Sequence, residues 1–240
     1  FKQPITAHQQ ISEVPTFYQM QLLALNNNVK PTEPIAEPVE IKEYYISHLF
    51  FDANVDILTP QNNKKLDQLA NLLLIYPKIT AELSCFELPT GQKTFNLYFS
   101  IKKTEKAAEY LAGKGIPRSR LLLKGYGSSF PLVAKPVSNN ISPLYQKLNQ
   151  RLEIALHDYE SEPVIIDIEG IKVPENLQDP KGVKFSTLSN QLFYSVQIAS
   201  ISQILQNQAI ESVEELFIEV ENSSGNYLYM AGMIPTFKEA

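Results

Sequence analysis

From Ile41 to Asp158 the spacing of apolar residues switches repeatedly between the period of a strand and that of a helix. Ile46 to Phe51 is a short apolar run that reads as a strand, although the adjacent Phe50 and Phe51 break strict alternation. Thr59-Pro60 then gives a helix start, with threonine at the N-cap and proline in the first turn, where its missing N–H is not needed. Leu66, Leu69, Ala70 and Leu73 follow at i, i+3, i+4 and i+7, one buried stripe, and Pro77 stops the helix. Ile79, Ala81, Leu83 and Cys85 alternate with polar residues as a half-buried strand. A second helix is predicted from about Asn96 to Ala112, burying Phe99, Ala107, Ala108 and Leu111, with Gly113 and Gly115 at its end. Leu121-Leu122-Leu123 predicts a buried strand closed by Gly125-Tyr126-Gly127. A long loop containing proline and asparagine leads to a last strand at Leu152, Ile154 and Leu156. The order strand, helix, strand, helix, strand, loop, strand predicts an α/β fold: a two-layer sandwich with both helices on one face of a mixed sheet.

The flanks read differently. Residues 1–40 hold one strand-like run, Phe17 to Leu25, and then Asn26-Asn27-Asn28 with Pro31, Pro34 and Pro38 among acidic residues. Closely spaced prolines favour extended backbone and remove N–H donors, so this stretch reads as the tail of a preceding domain and its linker. Residues 159–186, with Pro163, Pro174 and Pro180, read as a second linker in which Val164-Ile165-Ile166 is the one candidate strand. Residues 187–240 begin a new segment: Phe193 to Ser200, an amphipathic stretch, Leu216-Phe217-Ile218, a turn at Ser223 to Asn226, and Tyr227 to Gly232. Neither a start signal nor a finished C-terminal unit is visible, and both Phe1 and Ala240 are expected to be interior points of a longer protein.

Composition narrows the function classes. A 44% hydrophobic fraction with twelve Tyr and twelve Phe supplies a sizeable core. Leu72 to Tyr76 is as long as any apolar run, far short of a membrane span. A net charge of -5 argues against sequence-independent binding to nucleic acid, which runs on excess Lys and Arg. One cysteine and three histidines leave no metal-ligand cluster and no internal disulfide, and no cofactor is called for. His48 and His157 have no Ser or Cys nucleophile motif near them, and no glycine-rich phosphate loop is present, so an enzyme is not expected.

Several short motifs now fall in order. Leu49-Phe50-Phe51-Asp52, Leu58-Thr59-Pro60 and Tyr76-Pro77 are followed by Asn96, Phe99-Ser100, Lys103-Thr104 and Tyr110-Leu111. Gly115-Ile116-Pro117, Gly125-Tyr126-Gly127 with Pro131, and Asn149-Gln150-Arg151-Leu152-Glu153-Ile154 complete the series. This series resembles the OmpA-like peptidoglycan-binding domain over residues 41–158. The resemblance implies a β-α-β-α-β-β sandwich on the periplasmic side of the outer membrane that binds the peptide stem of peptidoglycan and associates with other envelope proteins. In that family an Asp takes the ammonium of diaminopimelate and an Arg of the second helix takes its carboxylate in a bidentate fork.

Here the resemblance departs from the family's pattern at the ligand. The Asp motif is Ser84-Cys85-Phe86-Glu87, the Arg position is Lys103, and one of the two closing arginines is Gln150. Lysine is a point charge without the planar fork. Losing one charge-assisted bond costs about 1.5–3 kcal/mol, which is about one to two decades in affinity for a stem peptide. The candidate site is therefore Glu87, Lys103, Asn96, Phe86 and Arg151. Each has another reading. Glu87 can cap the turn before Pro89 and Gly91, Lys103 can belong to a solvated face with Lys102, Glu105, Lys106 and Glu109, and Asn96 suits an N-cap. Arg151 can meet a ligand or a carboxylate across the sheet, and Cys85 reads as a small core residue.

Tyr194 to Ser200, Tyr227 to Met233 and Lys238-Glu239-Ala240 resemble the first half of the SPOR (sporulation-related repeat) glycan-binding module. An OmpA-like domain joined to such a segment resembles envelope proteins of the Bacteroidota. Two functions follow from these likenesses. One is a non-catalytic tether that anchors an outer-membrane or periplasmic assembly to peptidoglycan through a degenerate diaminopimelate site. The other is an OmpA-like scaffold that has lost the wall ligand and mediates protein-protein contacts in an outer-membrane complex.

Overall fold

A computed structural model describes residues 41–52, 57–133, 142–177, 193–205 and 210–238. The strand expected at residues 17–25, the proline-rich stretch up to residue 40 and part of the second linker lie outside them. The apolar run at Ile46–Phe51 is divided. β1 (Lys42–Ile46) pairs in parallel with β6 (Val164–Ile168) as a separate two-stranded sheet, while β2 (Leu49–Phe50) joins the main sheet. The helix start at Thr59-Pro60 is real: Thr59 Oγ1 accepts from Asn62 N at 3.2 Å, and α1 spans Pro60–Ile75. β3 (Thr80–Phe86), α2 (Lys93–Gly113), β4 (Leu121–Gly127) and β5 (Arg151–His157) follow.

The main sheet also contains β7 (Tyr194–Ile201), β8 (Leu216–Val220) and β9 (Tyr227–Ile234), in the order β2-β5-β3-β4-β8-β9-β7. It is mixed: β3 and β4 are parallel, and the other neighbours are antiparallel. Alternation on the strands sorts the side chains. Leu83, Cys85, Leu121, Leu123, Leu152 and Ile154 share one buried cluster with Leu66, Leu69 and Leu73 of α1 and Leu97, Ile101 and Leu111 of α2. Both helices therefore cover the same face, as the two periodicities predict.

Two glycines explain how tightly α2 lies on β4. A Cβ on Gly125 would stand 2.7 Å from Ser100 Oγ and 2.8 Å from Ile101 N, so no larger residue fits. Gly127 has φ +52 and its N–H donates to Ser100 Oγ at 3.0 Å, so the same fully buried serine anchors the end of the strand. At the far end of α1, the Arg120 guanidinium donates to the carbonyls of Leu73 and Tyr76, each at 2.7 Å, and to Ile79 O from Nε at 3.0 Å. It satisfies carbonyls that the helix end leaves open.

Five expectations need correction. β3 is buried on both faces and not half-buried, since Glu82 and Ser84 are buried too, and β4 is not a wholly buried run, since alternation turns Leu122 outward. The second helix begins at Lys93, not near Asn96, because its cap comes from far away in sequence. Glu211 accepts from Lys93 N at 2.8 Å and from Thr94 N at 3.0 Å, while Gln92 at the N-cap makes no side-chain cap. Phe99 is 42% exposed, since the buried stripe runs Leu97, Ser100, Ile101, Thr104, Ala107, Ala108, Leu111 and Phe99 falls on the opposite side. The long loop contains a third helix, α3 (Pro143–Asn149), started by Ser142 Oγ accepting from Tyr145 N at 3.1 Å.

The C-terminal strands extend the main sheet. β8 pairs with β4 at Lys124↔Glu219 and Gly125↔Ile218. Leu216, Ile218 and Tyr229 are fully buried in the cluster that contains α1 and α2.

Candidate functional site

β3 ends at Phe86, and the next residue, Glu87, is fixed by its own N–H donating to Gly127 O at 2.7 Å. This turns its carboxylate under α2. Lys103 lies in the middle of that helix, and its long side chain leans toward the helix N-terminus, as helical side chains do. The two meet: Lys103 Nζ is 2.6 Å from Glu87 Oε1. Their side chains are 2% and 6% exposed. The second carboxylate oxygen, Oε2, accepts from Gln150 Nε2 at 3.1 Å. The Phe51 ring covers the ammonium, its centroid 4.8 Å from Nζ. Lys103 is thus no part of a solvated face, and Glu87 is no exposed turn cap.

The remaining candidates are close by but engaged elsewhere. Arg151 is fully buried; its Nε lies 2.6 Å from Glu153 Oε1, two residues along the same strand. Its guanidinium carbon sits 3.9 Å from the centroid of the Phe86 ring. Phe86 in turn stacks on Tyr126 at 5.0 Å. Asn96 is inside the first turn of α2 and donates to Ser128 Oγ at 3.0 Å. Burial pushes the Glu153 carboxyl up, opposed by the adjacent Arg151. Burial likewise drives the Cys85 thiol well above its usual range, the opposite of what a nucleophile needs.

The structure therefore brings Glu87 and Lys103 into direct contact and joins them to Gln150 and Phe51, which the sequence reading left out of the site. Gln150 stood out as a departure from the motif, but nothing local marked it as the partner of Glu87, 63 residues away. Phe51 read as a strand residue and as part of the Leu49-Phe50-Phe51-Asp52 motif, neither of which marked it as a partner of Lys103.

Chemically, the cluster is a neutral, closed pair. A zwitterion such as diaminopimelate needs the carboxylate and the ammonium separately, and here each already holds the other. Opening the pair would expose two charges that the surrounding protein desolvates. Among the described residues no group of His, Cys, Asp and Glu could hold a metal ion. None of the described helices is long and apolar enough to cross a membrane.

Curated relatives carry the likeness read from the motifs. Outer membrane protein A of Yersinia pseudotuberculosis is 31% identical over 140 residues, covering 55% of this chain and 39% of the relative. Outer membrane porin F of Pseudomonas fluorescens is 23% identical over 123 residues, covering 51% of this chain and 35% of the relative. The chain thus spans less than half the length of the curated relatives it matches. Solved structures similar to it include the peptidoglycan-associated lipoprotein of Burkholderia pseudomallei, 19% identical, covering 45% of this chain and 88% of that one at a TM-score of 0.38. The C-terminal domain of Helicobacter pylori MotB is 18% identical, covering 49% and 88%, at a TM-score of 0.41. No protein-family model matches the chain. The resemblance to the OmpA-like domain stands on these sequence relatives.

Proposed function

We propose that this chain is a non-catalytic structural module of the bacterial cell envelope whose OmpA-like pocket is closed by its own charges. It serves its assembly through protein contacts, on the periplasmic side of the outer membrane, and not by gripping the wall peptide. The observation that carries this reading is the 2.6 Å Glu87–Lys103 pair at 6% and 2% exposure. A stem peptide would have to break that pair, displace Gln150 from Glu87 and move the Phe51 ring before either charge became available. In return it would gain one ammonium contact in place of the bidentate fork.

A second reading, a weak tether to peptidoglycan, is favoured by the likeness to outer membrane protein A and by the presence of a carboxylate and a cation at one place in the fold. Co-sedimentation with purified peptidoglycan sacculi separates the two. The closed-pocket reading expects the wild-type chain to stay in the supernatant at low and physiological salt, like the Glu87→Ala/Lys103→Ala variant. Sedimentation of the wild type alone, released by the double substitution, would establish the tether in its place.

A further inference from the structure

Lys102, Glu105, Glu109 and Ala112 recur at i, i+3, i+7 and i+10, so they form one stripe on α2. The stripe faces the 3-10 turn at Arg118–Arg120 and Tyr227, the first residue of β9, and together they enclose a cavity of about 290 Å³. Tyr227 stands at the opposite end of β9 from Ile234, through which the chain leaves the sheet, so the cavity is framed away from the C-terminal end of the sequence.

Several charges around the cavity already hold one another. Lys102 Nζ donates to Glu105 Oε2 at 2.7 Å and to Tyr227 Oη at 3.2 Å, and Tyr227 Oη donates to Glu105 Oε1 at 2.7 Å. This triangle engages both carboxylate oxygens of Glu105. Arg118 and Glu109 are left over. Arg118 Nη1 is buried and has no hydrogen-bond partner among the described residues, a costly state for a charged donor. Burial lowers the Arg118 pKa, and Glu105, Glu109 and Tyr227 oppose the shift, which puts both carboxylates within electrostatic reach of it. Glu109 is exposed and forms no ion pair among the described residues. The orphaned guanidinium nitrogen calls for an acceptor, but a simple anion seated on it would meet Glu109 as well. A simple cation seated on Glu109 would meet Arg118 and Lys102. A small molecule carrying both signs satisfies both leftover groups. Ala108 and Ala112, one turn apart, give the cavity an apolar floor and leave it room.

We propose that this cavity binds an apolar amino acid as a zwitterion, its carboxylate on Arg118, its ammonium on Glu109 and its side chain on Ala108 and Ala112. The site does not depend on the closed pair, for it shares no residue with Glu87, Lys103, Gln150 or Phe51.

Titrating the 240-residue chain with leucine, N-acetylleucine and leucinamide, followed by NMR of the backbone amides and the arginine Nε–Hε signals, tests this. Leucine should give saturable shifts at millimolar concentration, clustered on Arg118, Glu109 and Ala112. N-acetylleucine keeps only the carboxylate and leucinamide only the ammonium, and each should bind about tenfold more weakly for the loss of one charge-assisted contact. Arg118→Gln should abolish the leucine shifts, and Glu109→Gln should bring leucine down to the affinity of N-acetylleucine. The urea midpoint of Arg118→Gln should stay in place, because Nη1 holds no bond for the fold to lose. The comparison of the three compounds uses the wild-type chain and stands whatever the variants do to stability. No shift with leucine, equal shifts with all three compounds, or leucine shifts that survive Arg118→Gln would overturn the proposal.

Discussion

Replacing Lys103 by methionine removes one half of a buried ion pair while keeping most of the side-chain volume. The structure sets the expected size of the effect. At 2.6 Å and with side chains 2% and 6% exposed, neither partner can turn to solvent when the other is lost. Glu87 would keep only its bond from Gln150. Removing one partner of such a pair costs about 3–5 kcal/mol, most of it the uncompensated charge left behind. Replacing both partners, as in Glu87→Gln/Lys103→Met, should bring stability back to within about 1 kcal/mol of the wild type, because the desolvation of two charges disappears together with their attraction. The double-mutant cycle should then give a coupling of at least about 3 kcal/mol. Urea unfolding followed by circular dichroism and tyrosine fluorescence measures it. With a slope of about 1–3 kcal/mol per molar urea, Lys103→Met should move the midpoint down by about 1 M or more. The exposed Lys114–Asp67 pair, with both side chains more than 40% exposed, is the internal control, and its removal should leave the midpoint in place. Single substitutions at Glu87 and Lys103 that each cost less than about 1 kcal/mol, or a double variant as unstable as the sum of the singles, would show that the two charges are not coupled as a buried pair.

Other consequences are open to the same measurements. Gly125→Ala drives a Cβ into Ser100 and the backbone of α2, and should destabilise by about 1–3 kcal/mol, whereas Gly170→Ala, with open space around it, should not. Arg120→Ala leaves the carbonyls at the end of α1 without their donor and should cost about 2 kcal/mol, with faster hydrogen exchange confined to the last turn of α1. His48 accepts from Ile154 N at 3.1 Å, and burial holds its pKa down to about 4. The unfolded chain therefore binds this proton at higher pH than the folded one, so stability falls as pH drops from about 6.5 toward 4, by about 3 kcal/mol in all. Imidazole signals of His48 that titrate near 6.5 in the folded protein would contradict this.

Much of the stretch between residues 42 and 157 was legible because its signals are local. Thr59-Pro60 and the Leu66, Leu69, Leu73 stripe place α1 almost to the residue, and alternation in Ile79 to Cys85 places β3, although its polar face, Glu82 and Ser84, is buried as well. The same start signal, Ser142-Pro143, was present for α3, but seven residues give too little periodicity to stand out from a proline-containing loop. The start of α2 was not legible, since its cap is Glu211, 118 residues distant from Lys93. The site was half legible. Motif order located Glu87 and Lys103, but the run Lys102, Lys103, Glu105, Lys106 looks like a solvated face. Only the folded chain shows that Lys103 alone of these points inward, beneath Phe51 and onto Glu87. Likewise, the pairing of β8 with β4 depends on residues about 94 positions apart in sequence, beyond what composition or period can report.

The closed pair is tested most directly by titrating a diaminopimelate-containing stem peptide into the isotopically labelled chain and following backbone amide signals by NMR. The amides of Phe51, Glu87, Lys103 and Gln150 are expected to keep their positions at millimolar peptide, even at low salt, where surface electrostatics is screened least. Saturable shifts clustered on those four residues, fading as salt is added and absent in Glu87→Gln/Lys103→Met, would show instead that the pair opens to the peptide.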